Sequence, residues 1–237
     1  IGMYGGPYAV TKGLLEEYGS EKIMDTPISE SGFVGAAIGA SMAGMKPIVE
    51  IMTINFSLLA IDQIVNHAAK IHYMSDGQLS VPIIIRTVTG AGGRLAATHS
   101  QSFEGWYASV PGLKVVSPSN AIDALGLFRS AINDNNPVIF VEHSMLYGVK
   151  NEIPDQYYET PIGLPKVLEK GDDLTLIAWS GMIPLAKSIS IELNKSNINT
   201  EIIDLISLNP IDFELIFESV KKTNKVVILD EYWETGS

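Results

Sequence analysis

Residues 81–87 read VPIIIRT, and this stretch decides the fold. A strand with one face in water alternates apolar and polar residues, whereas this one is apolar at successive positions and so calls for cover on both faces. The same character recurs in KPIVEIM (46–52), LKVVSP (113–118) and PVIFVEH (137–143), with EKIMDT (21–26) read as a shorter strand ahead of them. Between the strands lie helical patterns: one from about Ser31, SLLAIDQIVNHAAKIHYM (57–74) and AIDALGLFRSAI (121–132). Buried strands separated by helices predict an α/β fold built on a parallel sheet.

After residue 150 the pattern lapses. The stretch 147–167, YGVKNEIPDQYYETPIGLPKV, contains Pro154, Pro161 and Pro165 and no usable period, so 151–167 is read as a linker between units at 1–150 and 168–237. The second unit restarts with LTLIAWS (174–180), a helix from about Ile183, TEIIDLIS (200–207), the helix IDFELIFESVKK (211–222) and KVVILDE (225–231). No internal repeat or low-complexity tract interrupts either unit.

The 237 residues are 46% hydrophobic and 18% charged, enough to bury a substantial core. A net charge of −11 argues against an electrostatic hold on nucleic acid or anionic lipid. Without cysteine, disulfides and thiolate metal sites are excluded. No apolar run approaches the roughly 20 residues that span a bilayer. The opening IGMYGGPYAV shows neither a basic leader nor an Arg-rich amphipathic one and begins without Met, so trimmed ends are expected.

Two places invite chemistry. In DTPISESGFVGAAIGASMAG (25–44), Glu30 stands at the mouth of a helix in which Gly32, Gly35 and Gly39 each cost up to about 1 kcal/mol relative to Ala. A carboxylate in the first turn suits the helix dipole by itself. The small residues behind it, with Ala36, Ala37, Ala40 and Ala43, make a shallow surface suited to close approach by another helix. The second place is GAGGRLAATHSQSF (90–103), a loop after a strand that delivers His99 to the carboxyl edge of the sheet, where α/β proteins build their sites. It fails as a dinucleotide loop, because Leu95 occupies the third glycine position, and it lacks the Lys-Ser/Thr ending of a phosphate loop. A loop histidine is also a common solvated or capping residue. His67 and His72 are five apart and do not share a helix face, and His143, ending a strand, suits a hydrogen-bonded structural role.

Taken in order, DTPISE, EIMTINF, DQIVNHAAKIHYMS, THSQSF, PGLKVVSPSN, AINDNNPVIFVEH and LYG resemble the beta subunits of the thiamine-diphosphate-dependent 2-oxo acid dehydrogenases, the pyruvate dehydrogenase members most of all. The resemblance implies a pyrimidine-binding α/β domain followed by a transketolase-type C-terminal domain, incomplete here. It implies a cofactor shared between chains, with an alpha subunit holding diphosphate and Mg2+; the Gly-Asp-Gly that opens the family's magnesium motif is absent from this sequence. By resemblance Glu30 bonds the pyrimidine nitrogen, Ile28, Met52 and Phe56 wall the ring, and His99 handles protons near the substrate or helps pass the two-carbon unit onward. It also implies potassium held mostly by the backbone carbonyls of Ile83, Ala131, Ile132, Asp134 and Asn136. Implied partners are two alpha subunits with two copies of this chain, a dihydrolipoyl acyltransferase core, and pyruvate on the route from glycolysis to acetyl-CoA. Acetoin dehydrogenase beta subunits share nearly every one of these motifs, branched-chain 2-oxo acid enzymes depart more around MTINF, and a non-catalytic assembly module is the reading from another class. The implied location is cytoplasmic in a bacterium, and mitochondrial matrix or plastid in a eukaryote.

Overall fold

The computed structural model describes residues 2–235. A short helix α1 (Leu14–Tyr18) precedes α2 (Glu30–Met42), and β1 (Ile48–Glu50) follows. Then come a 3-10 stretch (Ile54–Ala60), a π turn (Gln63–Ala68), α3 (Ile71–Met74), β2 (Ile84–Thr89), α4 (Glu104–Ala108) and β3 (Lys114–Val116). Helix α5 (Ala121–Asn133) and β4 (Val138–His143) complete the first unit. The second unit holds β5 (Lys166–Glu169), β6 (Leu174–Ala178), α6 (Met182–Asn194), β7 (Thr200–Asp204), β8 (Ser207–Asn209), α7 (Glu214–Thr223) and β9 (Val226–Ile228).

The first sheet has the order β1-β2-β4-β3-β8, parallel from β1 to β3. Covering both faces explains why 81–87 is continuously apolar. Ile83 and Ile85 join the core beneath α2 with Val34, Ile38 and Ile54, while Ile84 points the other way and packs with Val116, Leu127 and Phe140 beneath α5. Helix α5 starts where Asn120 caps the backbone N–H of Asp123 at 2.9 Å. The second sheet, β5-β7-β6-β9, is parallel except for β5, with α6 and α7 on opposite faces.

The two units are not merely tethered. Strand β8 leaves the second unit and pairs antiparallel with β3 of the first, where Asn209 Nδ2 donates to the Leu113 carbonyl at 2.8 Å. Two expectations need correcting. Residues 21–26 form no strand; Asp25 instead accepts the backbone N–H groups of Gly2 and Met3 at 2.6 and 2.9 Å. Residues 57–74 are not one helix but three pieces. Ser57 Oγ donates to the Ile54 carbonyl at 2.6 Å, competing with the helical ladder, and Lys70 reaches over to the Pro111 carbonyl at 2.6 Å. There Gly112, at φ +99°, lies against Ala69, whose carbonyl oxygen a Cβ would meet at 2.1 Å.

Candidate active site

Strands β1, β2 and β4 all point their carboxyl ends to one edge, which the loops after Glu50, Thr89 and His143 overhang. Helix α2 finishes just before β1 begins, so its first turn, with Glu30, lies toward that same edge. The helix packs on the Ile54–Ala60 stretch. Glu30 is half-buried, and among the described residues nothing donates a hydrogen bond to its carboxylate. Apolar side chains are exposed in the neighbouring segments. Ile28, two residues before, is 95% exposed, and Met52, just past β1, is 41% exposed. Phe56 is partly buried against the core.

The structure brings His99 to Phe56. Their rings meet edge-on at 5.2 Å between centroids. The loop reaches there through two backbone turns, Arg94 N–H to the Ala91 carbonyl and His99 N–H to the Ala96 carbonyl, with Arg94 and Ala96 both at positive φ. Thr98 Oγ1 takes His99 Nδ1 at 2.9 Å, which leaves Nε2 without a partner among the described residues. A residue that the sequence reading missed ties this together. Buried Asn55 accepts from the Gln101 backbone N–H at 3.2 Å and from Gln101 Nε2 at 3.0 Å, and it donates to Thr53 Oγ1 at 3.0 Å. The polar Asn within EIMTINF was the available signal, since a buried amide needs several partners.

Beneath the edge lies a charge cluster that was equally unread. Arg86 donates through Nε to Glu142 Oε1 at 2.8 Å, through Nη1 to Glu50 Oε2 at 2.7 Å and through Nη2 to Glu142 Oε2 at 2.5 Å. Tyr147 donates to Glu142 at 2.5 Å; burial, then the Glu142 charge, pushes its phenol far above its ordinary value. One guanidinium thus ties three parallel strands together. Removing one partner of such a pair costs about 3–5 kcal/mol, because the charge left behind stays buried.

The residues implied for potassium gather at the far end of α5. Ala131 and Ile132 lie in its last turn, and Asp134 caps it. The Ile83 carbonyl accepts the Val138 N–H at 2.9 Å, beside this turn. Asp134 pairs with Lys114 and accepts two bonds of 2.8 Å from Asn136; burial pushes its carboxyl up, but those bonds bring it below the ordinary range. Neutral carbonyls at the negative end of a helix dipole suit a weakly hydrated monovalent cation. Lys46 already places an ammonium 2.6 Å from the Ile132 carbonyl, so any such ion shares this helix end with a built-in cation. No group of three His, Cys, Asp or Glu side chains suited to a metal occurs among the described residues. Of the other histidines, His67 faces Asp62 at 3.7 Å, His72 Nδ1 bonds the Leu79 carbonyl at 3.0 Å, and His143 bonds Glu231 at 2.8 Å.

Comparison with known proteins adds to this geometry. The family described as Transketolase, pyrimidine binding domain matches residues 2–150, and Transketolase, C-terminal domain matches 163–237. The chain is 48% identical over 233 residues to "Pyruvate dehydrogenase E1 component subunit beta" of Rickettsia bellii, covering 98% of this chain and 72% of that one. It is 47% identical over 235 residues to the mitochondrial "Pyruvate dehydrogenase E1 component subunit beta-1" of Arabidopsis thaliana, covering 98% and 65%. A solved structure, "Split gene transketolase, inactive beta4 tetramer", superposes with a TM-score of 0.79 at 23% identity, over 94% of this chain and 70% of that one, which establishes a shared fold.

Proposed function

The chain belongs to the family of pyruvate dehydrogenase E1 component beta subunits, and from that premise we propose that it supplies the pyrimidine-holding half of a thiamine diphosphate site in a 2-oxo acid dehydrogenase. The observation that carries this reading is the pairing of a half-buried, unpartnered carboxylate with bare apolar surface. Glu30 has no donor among the described residues, while Ile28, two residues before it, and Met52, just past the carboxyl end of β1, both stand exposed. Burying such side chains stabilises by roughly 25 cal/mol per Å² of apolar surface covered, so a flat ring with one basic nitrogen satisfies both wants at once.

When bound, thiamine diphosphate supplies the electron sink for loss of carbon dioxide from a 2-oxo acid. Glu30 would hydrogen-bond the aminopyrimidine ring nitrogen. Ile28, Met52 and Phe56 would wall the ring and exclude water from that bond. His99, steadied by Phe56 and by Thr98 on Nδ1, moves protons near the substrate through Nε2. An alpha partner supplies diphosphate and Mg2+ binding, in a complex of two alpha chains with two of this one, and the acyl unit passes to lipoamide on an acyltransferase core. The carbonyls of Ile83, Ala131, Ile132, Asp134 and Asn136 would hold potassium beside Lys46. Pyruvate is the substrate this reading names. Relatives from bacteria and with mitochondrial names support a location in a bacterial cytoplasm or a eukaryotic mitochondrion.

The test is Glu30→Gln in the complex reconstituted with alpha subunit. It preserves shape and removes the acid. We expect pyruvate decarboxylation to fall by at least about 10²-fold, the low end for a general acid–base group. Activity equal to wild type would return the fold to a scaffolding role.

A further inference from the structure

Where the two units meet, the carboxyl edge holds a second built feature. His143 ends β4 and is only 4% exposed. Its imidazole lies in a slot walled by three glycines, two from the loop after β2 and one from the start of α6. A Cβ at Gly90 would fall 2.4 Å from His143 Nε2 and 2.7 Å from Glu231 Oε2. One at Gly92 would fall 3.2 Å from His143 Cε1, and one at Gly181 would fall 2.7 Å from Nε2 and Cδ2. The backbone N–H of Met145 donates to Nδ1 at 3.3 Å, which makes Nε2 the nitrogen that carries hydrogen, and Nε2 donates to Glu231 Oε2 at 2.8 Å. Glu231 belongs to the second unit, just past β9. The hydrogen bond from His143 holds its carboxyl below the ordinary range against the upward push of burial, and the backbone N–H of Ala91 adds to that lowering.

Gly90, Ala91 and Gly92 form the root of the loop that carries His99. The far end of that loop is tied by Gln101 to Asn55 of the first unit. Its root is tied instead to the second unit, through Glu231. We propose that Glu231 and His143 form a latch through which the second unit sets the pose of the His99 loop; both are positioning residues, and the proposal rests on the reading of His99 as the proton-handling group. The charges around the latch sharpen its action. Glu104 is buried, and burial pushes its carboxyl up; Thr89 Oγ1 bonds it at 2.7 Å, and both Asp230 and Glu231 repel its anion. Without the His143 donor, Glu231 becomes one of three neighbouring carboxyls with less to hold it in place, and the loop root is released.

The experiment compares Glu231→Ala, His143→Ala and the double variant with wild type in the complex with alpha subunit. It reads hydrogen exchange of the amides at 91–100 alongside kcat and KM for pyruvate. Each single variant should speed exchange across the loop by about tenfold or more, and the double variant no further, since both changes open one contact. Turnover should fall at unchanged KM, and Glu231→Gln, whose amide oxygen still accepts a hydrogen bond, should restore much of it. Wild-type exchange in Glu231→Ala, additive effects in the double variant, or Glu231→Gln behaving like Glu231→Ala would each overturn the latch. If the loop loosens while His99→Ala turns over normally, the latch stands and the catalytic reading of the loop falls.

Discussion

His99 and Asp204 show how differently two titratable side chains are used. His99 sits on an exposed loop, its ring supported by Phe56 and its Nδ1 engaged by Thr98, so its removal leaves the core untouched. His99→Ala should therefore lower turnover by about 10²–10⁴-fold while thermal stability and cofactor affinity stay at wild-type values; a fall under about threefold makes His99 a capping residue only. Asp204, fully buried at the end of β7, is the reverse case. Burial pushes its carboxyl up to about 6, despite hydrogen bonds from Ser119 Oγ and the Ile206 N–H. The folded chain thus holds that proton more tightly than the unfolded one. Asp204 is at its most favourable below about pH 4 and costs stability as pH rises through 6. Asp204→Asn should match wild type in unfolding free energy near pH 4 and exceed it near pH 7, by roughly 1–3 kcal/mol. An equal gap at both pH values would show that the buried charge is not the cause. Glu30, Ile28, Met52, Phe56 and His99 could be singled out because each stands in a short motif, and the structure brings two of them, Phe56 and His99, together. His143–Glu231 and Arg86–Glu50 were not, because partners 88 and 36 residues apart meet only once the strands are in register.

At the scale of elements, α2 makes the sharpest claim. Gly32, Ala36, Gly39 and Ala43 form an exposed stripe along it, and a Cβ at Gly39 would meet nothing within 4 Å. Gly35 faces inward instead, where Gln63 Oε1 of the same chain comes within 3.0 Å of the Cβ position. The close approach expected at Gly35 is thus met within this chain, and Gly39 is the glycine left for a partner. Gly39→Leu should leave the fold intact yet weaken association with alpha subunit, since overpacking a contact costs roughly 1–3 kcal/mol. Sedimentation of the mixture reads this, and an intact assembly of two and two chains would refute the interface role of the stripe. The start of α2 could be read from the sequence, as could α5, whose Asn120 cap and apolar stripe agree. The break in 57–74 could not. It depends on Ser57 bonding backward, on Tyr107 bonding Ser57 at 2.6 Å, and on the Pro111–Gly112 turn arriving from elsewhere.

For the molecule as a whole, the parallel first sheet followed from its apolar strands, but the exchange of β8 into it did not: SLN at 207–209 reads like the tail of β7. That exchange, with the latch at Glu231, makes the two units one mechanical body around the carboxyl edge. In the proposed reading the edge would offer a pyrimidine ring its hydrogen-bonding carboxylate and apolar walls, on a chain of net charge −11 that gives an anionic diphosphate little attraction. The chain would thus carry half of the proposed site. Titrating thiamine diphosphate with magnesium into the chain alone, and into the chain mixed with alpha subunit, tests that directly. Calorimetry should find no saturable binding to the chain alone, and stoichiometric binding with pyruvate turnover in the mixture. Tight binding to the isolated chain would contradict it.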